Sequence, residues 1–230
     1  MSWQDFFGQI ELINLAHRTD RLLQSLDELR KYGIRPLVCR AIKCDNGQEG
    51  ISKTLKSLFE TYVHSGRPLL LFEDDVKMVV PQTEFRHVIE MAIMELPPDW
   101  DMLYLGANLP DPRKVYRYST HLLRTDRALA LHAVAYSHKC MKYILSLPPE
   151  LPIDLQMANT VHPLGKTFVT YPLLCTQRPG YSDIESREVS YGQFIEDRYK
   201  KVEDYLGLPK KNSTLVQLQR FQHTTTNHSF

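Results

Sequence analysis

Apolar and polar positions group into blocks along this chain, and the blocks read alternately as strands and helices. Ile10, Leu12, Ile13 and Leu15 make a short strand-like run that passes into Asn14-Leu15-Ala16-His17-Arg18. Leu22, Leu23, Leu26, Leu29 and Tyr32 then recur at helical spacing, with Thr19 or Asp20 available as N-cap and Gly33 where a C-cap is wanted. Pro36 to Ile42 is a second strand, and Leu55, Leu58, Phe59, Tyr62 and Val63 mark a second helix closed by Gly66. Pro68-Leu69-Leu70-Leu71-Phe72 is apolar on both faces and lies between a helix stop and three acids, the signature of a central buried strand. A third helix is predicted from Thr83 to Leu96, with Phe85, Val88, Ile89, Ala92 and Ile93 inward; Met102 to Leu105 is another buried strand ending at Gly106.

This β-α-β-α-β-α-β order predicts an α/β fold with an open, largely parallel sheet covered on both faces. Later, Ala128 to Tyr136 is strand-like, and Ser137 caps a helix through Met141, Ile144 and Leu145. Lys166 to Tyr171 is a strand, and Tyr191 to Leu206 a charged helix. With no internal repeat or linker, the pattern predicts one domain over 1–212, followed at 213–230 by a loose tail rich in Thr, Gln and His.

The 230 residues are 43% hydrophobic and 24% charged, which excludes a disordered chain, a coiled coil and a collagen-like fibre. With 28 basic and 27 acidic residues the net charge is +1, so no nucleic-acid face and no strongly acidic partner is indicated. No apolar run reaches the roughly 18 residues a membrane span needs. The N-terminal Met-Ser-Trp-Gln-Asp lacks a basic region followed by an apolar stretch, and the four cysteines form no CxxC pair. A cytoplasmic protein with reduced thiols is the expectation.

Candidate chemistry begins with Glu73-Asp74-Asp75, directly after the central strand. In open α/β sheets ligands bind outside the carboxyl ends of strands, and three carboxylates delivered there must be hydrated, paired or given to a metal. Strand alternation would point Glu73 and Asp75 to one side as two oxygen donors for a hard divalent cation; a solvated turn is the alternative. With neither a Walker A sequence nor GxGxxG present, a metal would be the main means of neutralising phosphates.

Around this triplet lies an ordered series of motifs. Ile13-Asn14-Leu15 precedes an Arg-rich turn with Arg18 and Arg21, and Leu70-Leu71-Phe72-Glu73-Asp74-Asp75-Val76 follows. Next come Asp99-Trp100-Asp101-Met102-Leu103-Tyr104-Leu105-Gly106, then His132 five residues before Ser137, then Pro152-Ile153-Asp154. Gln177-Arg178-Pro179-Gly180-Tyr181-Ser182-Asp183-Ile184 ends the series. From about Glu11 to about Glu185 the chain resembles glycosyltransferase family 25, which includes lipooligosaccharide and collagen galactosyltransferases. It departs from the family where a Ser-His pair is usual, carrying Thr54 and Leu55 instead.

The resemblance implies a GT-A-like nucleotide-diphospho-sugar transferase fold, manganese or another divalent ion, and inverting transfer of a hexose, most plausibly galactose, from a UDP-sugar. A saccharide such as a lipopolysaccharide or lipooligosaccharide core would accept it. Asp75 would be a direct metal ligand, with Glu73 and Asp74 holding metal, ribose or sugar hydroxyls. Asn14 and Arg18 would meet the base or ribose and Arg21 a phosphate; alternatively Asn14 satisfies local backbone and the arginines are solvated. His132 would be a third metal ligand or a diphosphate donor, or else a core histidine. Inversion needs a general base. Asp154 is its first candidate, unless it only caps a helix, and Asp183 is the second, for base or metal contact. Gln177 and Tyr181 would shape the same pocket, while Asp101, Trp100 and Tyr104 read as structural. Two readings compete: a non-catalytic relative that binds a nucleotide-sugar or glycan, and another phosphate-handling enzyme. A phosphatase would want an aspartate after the first strand, where Asn14-Leu15-Ala16-His17 stands. The Lys200-Lys201 and Lys210-Lys211 pairs permit at most peripheral membrane contact.

Overall fold

The computed structural model describes residues 2–148, 152–185 and 187–209. In chain order the first half contains β1 (Gln9–Asn14), α1 (Thr19–Lys31), β2 (Leu37–Arg40), α2 (Gly47–Tyr62), β3 (Leu69–Glu73), β4 (Val76–Met78), α3 (Gln82–Glu95) and β5 (Met102–Tyr104). The second half adds β6 (Val115–Arg117), β7 (Leu122–Thr125), β8 (Ala133–Tyr136), α4 (His138–Ser146), α5 (Ile153–Thr160) and β9 (Thr167–Thr170). It closes with β10 (Cys175–Gln177), β11 (Gly180–Ser182), β12 (Arg187–Val189) and α6 (Tyr191–Leu206).

Eight strands form one sheet in the order β2-β1-β3-β8-β5-β9-β7-β6. β1 runs parallel to β2 and β3, and β5 parallel to β9. β8 lies antiparallel between β3 and β5, and β7 antiparallel between β9 and β6. Six strands therefore point one way and two are reversed, a mixed α/β sheet that is mostly parallel, as the element order predicts. The reversal of β8 matters for the site: its N-terminal start lies at the same edge as the carboxyl end of β3, where Glu73 N donates to His132 O at 3.0 Å.

β3 is wholly buried and alternates between two cores. Leu69 and Leu71 join Phe59 of α2, Met141 of α4, Met157 of α5 and Tyr199 of α6 on one face. Leu70 and Phe72 join Leu29 of α1 and Phe85 and Ile89 of α3 on the other, with Trp3 and Phe7. Trp100 and Tyr104 are core residues, and Asp101 accepts from Lys139 at 2.9 Å, all structural as read. α1 ends in a Schellman turn, with Gly33 at φ 72°, Gly33 N on Arg30 O and Ile34 N on Leu29 O, both 3.0 Å.

Several boundaries differ from the pattern. α1 starts at Thr19 itself, so neither Thr19 nor Asp20 is the cap; Arg18 holds that position without a side-chain bond. α2 begins at Gly47, where Asn46 Oδ1 accepts from Gln48 N and Glu49 N, ahead of the first apolar residue that marks it. Only Ala133–Tyr136 of the 128–136 run is strand, because Leu129 bridges to Asn108 before the chain enters the sheet. Thr54 is buried: its hydroxyl donates to Gly50 O and accepts from Ile42 N, each at 2.8 Å. Leu55 is core. Thr54 thereby ties α2 to the chain after β2. The 213–230 tail and the Lys210-Lys211 pair lie outside the described residues. Among the described residues no helix is long and apolar enough to cross a membrane.

The glycine ending the Leu-Tyr-Leu-Gly run has a steric role. A Cβ on Gly106 would stand 1.9 Å from Cys175 O and 2.8 Å from His132 Nε2. Leu105 O accepts from Leu174 N and Cys175 N, both at 3.1 Å, drawing the two segments together. Gly106→Ala should cost about 2 kcal/mol through overpacking that backbone cannot relieve cheaply. Urea denaturation checks this, and an unchanged midpoint would contradict the contact.

Candidate active site

The strand order brings Asn14, at the end of β1, beside the acids at the end of β3. The resulting cleft, of about 960 Å³, is lined by the β1–α1 junction, the acidic triplet, the 129–131 loop, the start of α5 and the 177–185 segment. Of the residues singled out in the sequence, Asn14, Arg18, Arg21, Glu73, Asp74, Asp75, Asp154, Gln177, Tyr181 and Asp183 all line it. His132 does not. It is fully buried, its Nε2 3.4 Å from Cys175 O, and burial pulls its pKa down, partly countered by the charge of Asp75. A neutral imidazole behind Asp75 is what the structure provides, in place of a ligand facing the cleft.

β3 ends at Glu73, and Asp74-Asp75 form a turn into β4. Strand alternation therefore does not set the direction of Asp75, as the sequence pattern suggested. Instead Arg21 Nη2 sits between the two aspartates, 2.9 Å from Asp74 Oδ1 and 3.1 Å from Asp75 Oδ2. Asn14 Nδ2 donates to Asp74 Oδ2 at 2.6 Å and to Arg18 O at 3.0 Å. Asn14 thus combines the local backbone role with a contact to the triplet, and Arg21 is no solvated surface charge. Gln177 Nε2 donates to Asp75 Oδ2 at 3.1 Å, and Arg178 N to Asp75 O at 2.6 Å. These contacts exist because β10 pairs antiparallel with β4, setting Gln177 opposite Val76. A Cβ on Gly192 would meet Gln177 O at 2.5 Å, so α6 also needs a glycine where it packs on this strand.

One cation serves several carboxyls here, and the electrostatics follow. The Glu73 carboxyl is pushed up to about 8, first by burial, then by the charges of Asp75 and Asp74, with Arg21 countering and Asp154 adding. Asp74 is pushed up to about 6 by burial against the pull of Arg21 and the Asn14 hydrogen bond. Asp75 Oδ1 is buried without a partner. Such an orphaned carboxylate oxygen, among other acids, suits a hard cation. Among the described residues no three or more His, Cys, Asp or Glu side chains form a ready cage. The chain would offer Asp75 and Glu73, and phosphate oxygens and water the rest.

Asp154 lies in the first turn of α5, whose N-cap is Pro152, so the capping role does not apply. Its Oδ1 accepts from Leu155 N at 2.9 Å. Asp183 is engaged elsewhere: Arg18 Nη1 donates to it at 2.5 Å, and His17 Nε2 lies at 3.1 Å. Burial raises its pKa, but the bonds from Arg18 and His17 outweigh that and leave it below the usual range. Arg18 also donates to Tyr181 O at 3.1 Å, so the β1–α1 junction is clamped to β11 and the residue that follows it.

The sequence pattern missed two residues. Ser25, fully buried on the inner face of α1, donates to Asp74 O at 2.5 Å and lies 3.4 Å from Arg178 Nη1. A serine amid the apolar stripe Leu22, Leu26, Leu29 was its signal. Asn108 also lines the cleft and has a buried, unpartnered Oδ1, which no motif announced.

The raised carboxyls fix a direction for pH dependence. A carboxyl with a higher pKa folded than unfolded keeps its proton in the native state while the unfolded chain releases it, so stability falls as pH rises. For Glu73 that window runs from its ordinary value of 4.5 to about 8, and for Asp74 from 3.8 to about 6. The melting midpoint of metal-free protein should therefore drop between pH 5 and 8, and Glu73→Gln should flatten the drop. An unchanged slope in Glu73→Gln would remove Glu73 as its source.

No family model matches the chain, and no curated protein matches it. Among solved structures, A197 from STIV is similar at 16% identity and a TM-score of 0.47, over 78% of this chain and 91% of that one. A glycosyltransferase involved in the glycosylation of the major capsid of PBCV-1 is similar at 11% identity and 0.42, over 84% and 98%. Mannose-1-phosphate geranyltransferase from Thermus thermophilus is similar at 8% and 0.41, over 72% and 73%. Likenesses at this level leave the chemistry to the chain's own residues.

Proposed function

We propose that this chain is a divalent-metal-assisted, inverting glycosyltransferase of GT-A-like architecture, moving a hexose from a UDP-sugar to a saccharide acceptor. The observation that carries the reading is the Glu73-Asp74-Asp75 cluster at the carboxyl edge of the sheet, lining a large cleft with an unpartnered buried oxygen on Asp75. The motif series resembling family 25 supports galactose as the hexose, a lipopolysaccharide-type core as acceptor, and a cytoplasmic setting with at most peripheral membrane contact through Lys200-Lys201.

In this reaction the bond between the anomeric carbon and the diphosphate oxygen breaks while an acceptor hydroxyl attacks from the opposite face. Asp75 and Glu73 would hold a divalent ion, which when bound neutralises charge developing on the leaving diphosphate. Arg21, already shared by Asp74 and Asp75, adds a planar cation at the same place. Gln177 and Asn14 keep both aspartates oriented for that task. Asp154 takes the proton of the attacking hydroxyl; it is preferred over Asp183, whose oxygens are committed to Arg18 and His17.

UDP with manganese should raise the melting midpoint where neither does alone, since a ligand bound only to the native state stabilises it. Asp75→Asn should remove that combined shift. Asp154→Asn should leave UDP binding within about twofold and lower transfer about 100-fold or more, as expected for loss of a general base. Binding without UDP release from any UDP-hexose would instead assign a non-catalytic binding module, and no shift at all would overturn the proposal.

A further inference from the structure

We infer that Asn108, with the strained 129–131 loop facing it, is the element that reads a hydroxyl of the donor hexose; this rests on the reading of the cleft as a UDP-sugar site. Asn108 follows β5 and is pinned to Leu129 by two backbone hydrogen bonds, Asn108 N to Leu129 O and Leu129 N to Asn108 O, both 2.9 Å. Its side chain is therefore held on a fixed base at the cleft wall. Its Oδ1 is buried, yet has no hydrogen-bond partner among the described residues. The two other amides given roles in the cleft differ: Asn14 is bonded to Asp74 and Arg18 O, and Gln177 to Asp75. A buried, unpartnered carbonyl on a residue that lines the cleft is a group that a donor arriving with a ligand would complete.

The loop opposite carries the second, independent observation. Ala130 has φ 68°, the only non-glycine residue with a positive φ among the described residues. Such strain persists where the surroundings hold it and clusters at ligand clamps. Here it presents Leu129, Ala130 and Leu131 to the cleft as an apolar strip beside the amide. Asp154, at the start of α5, lines the same cleft.

The cleft is thus divided. Arg18 caps α1 and Arg21 lies in it; the helix packs on one face of the sheet through Leu29, and Arg178 reaches it at Ser25. Leu109, Ala128, Leu131 and Ile153 belong to the core on the opposite face. Cations on the first wall suit a diphosphate. An unpartnered acceptor beside an apolar strip suits a pyranose, whose hydroxyls donate and whose C–H face is apolar.

The test uses Asn108→Leu, which keeps the volume and removes the orphaned amide, and Asn108→Ala as a second variant. Replacing an unsatisfied polar group by an apolar one of the same shape is close to neutral or stabilising, so the Leu variant should melt at or above the wild-type midpoint. With manganese present, calorimetric titration should give UDP affinity within twofold of wild type in both variants. Affinity for the preferred UDP-hexose should fall about tenfold, and the kcat/KM ratio between UDP-glucose and UDP-galactose should narrow. Unchanged hexose affinity and epimer ratio with intact UDP binding would overturn the inference and leave the UDP-sugar reading standing. A lowered midpoint with equal loss for UDP and UDP-hexose would assign Asn108 a structural role and also overturn it. A wild-type protein that binds neither UDP nor any UDP-hexose would overturn the underlying reading, and the inference with it.

Discussion

A single guanidinium shared by two aspartates is what the site is built around. Burying a strand on both faces and ending it in Glu73-Asp74-Asp75 concentrates negative charge where little water reaches, and unpaired buried charge is strongly unfavourable. Arg21 answers two of the three carboxyls, while Glu73 is left to hold a proton up to about pH 8 and the buried Oδ1 of Asp75 has no partner. The fold thus retains an anionic locus that is costly without a cation. On the proposed reading, the missing charge would arrive with metal and substrate.

The rest of the cleft can be understood as scaffolding for that locus. Ser25 and Asn14 fix Asp74 from two sides, one through its carbonyl and one through its carboxylate. Gln177 and the Arg178 amide fix Asp75 in the same manner. The second pair depends on β4 and β10 meeting edge to edge, and on glycines at 106 and 192 that admit backbone at distances no side chain tolerates. Residues about a hundred positions apart in sequence are thereby held within hydrogen-bond reach. The Arg18–Asp183 clamp closes the circle by tying the start of α1 to the segment before β12.

Elements with a clear apolar pattern were legible before the structure, short β5 and β9 among them. β1, α1, β3, α3, β5, α4, β9 and α6 lie where apolar spacing puts them, because each buries a continuous face. The short strands β4, β6, β7, β10, β11 and β12 were not legible. Three or four residues of mixed polarity carry too little pattern, and their existence depends on a partner strand far away. For the same reason β8 was over-extended: Ala128 to Leu131 is apolar because it packs against core and cleft, not because it is strand.

What the amino-acid order determined by itself was composition, the alternation of strands and helices, and the delivery of three acids to the end of a buried strand. These are local properties, fixed by side-chain spacing and turn chemistry. Whether Asp154 was a helix cap, whether His132 faced the cleft, and which partner Asp183 would choose depended on distances between segments remote in sequence. Strand order and register set those distances, through the reversed β8 and the β4–β10 pair. Only the tertiary structure could therefore separate the open carboxyls from the committed ones, since hydrogen bonds and charge act over a few ångströms of space whatever the separation along the chain.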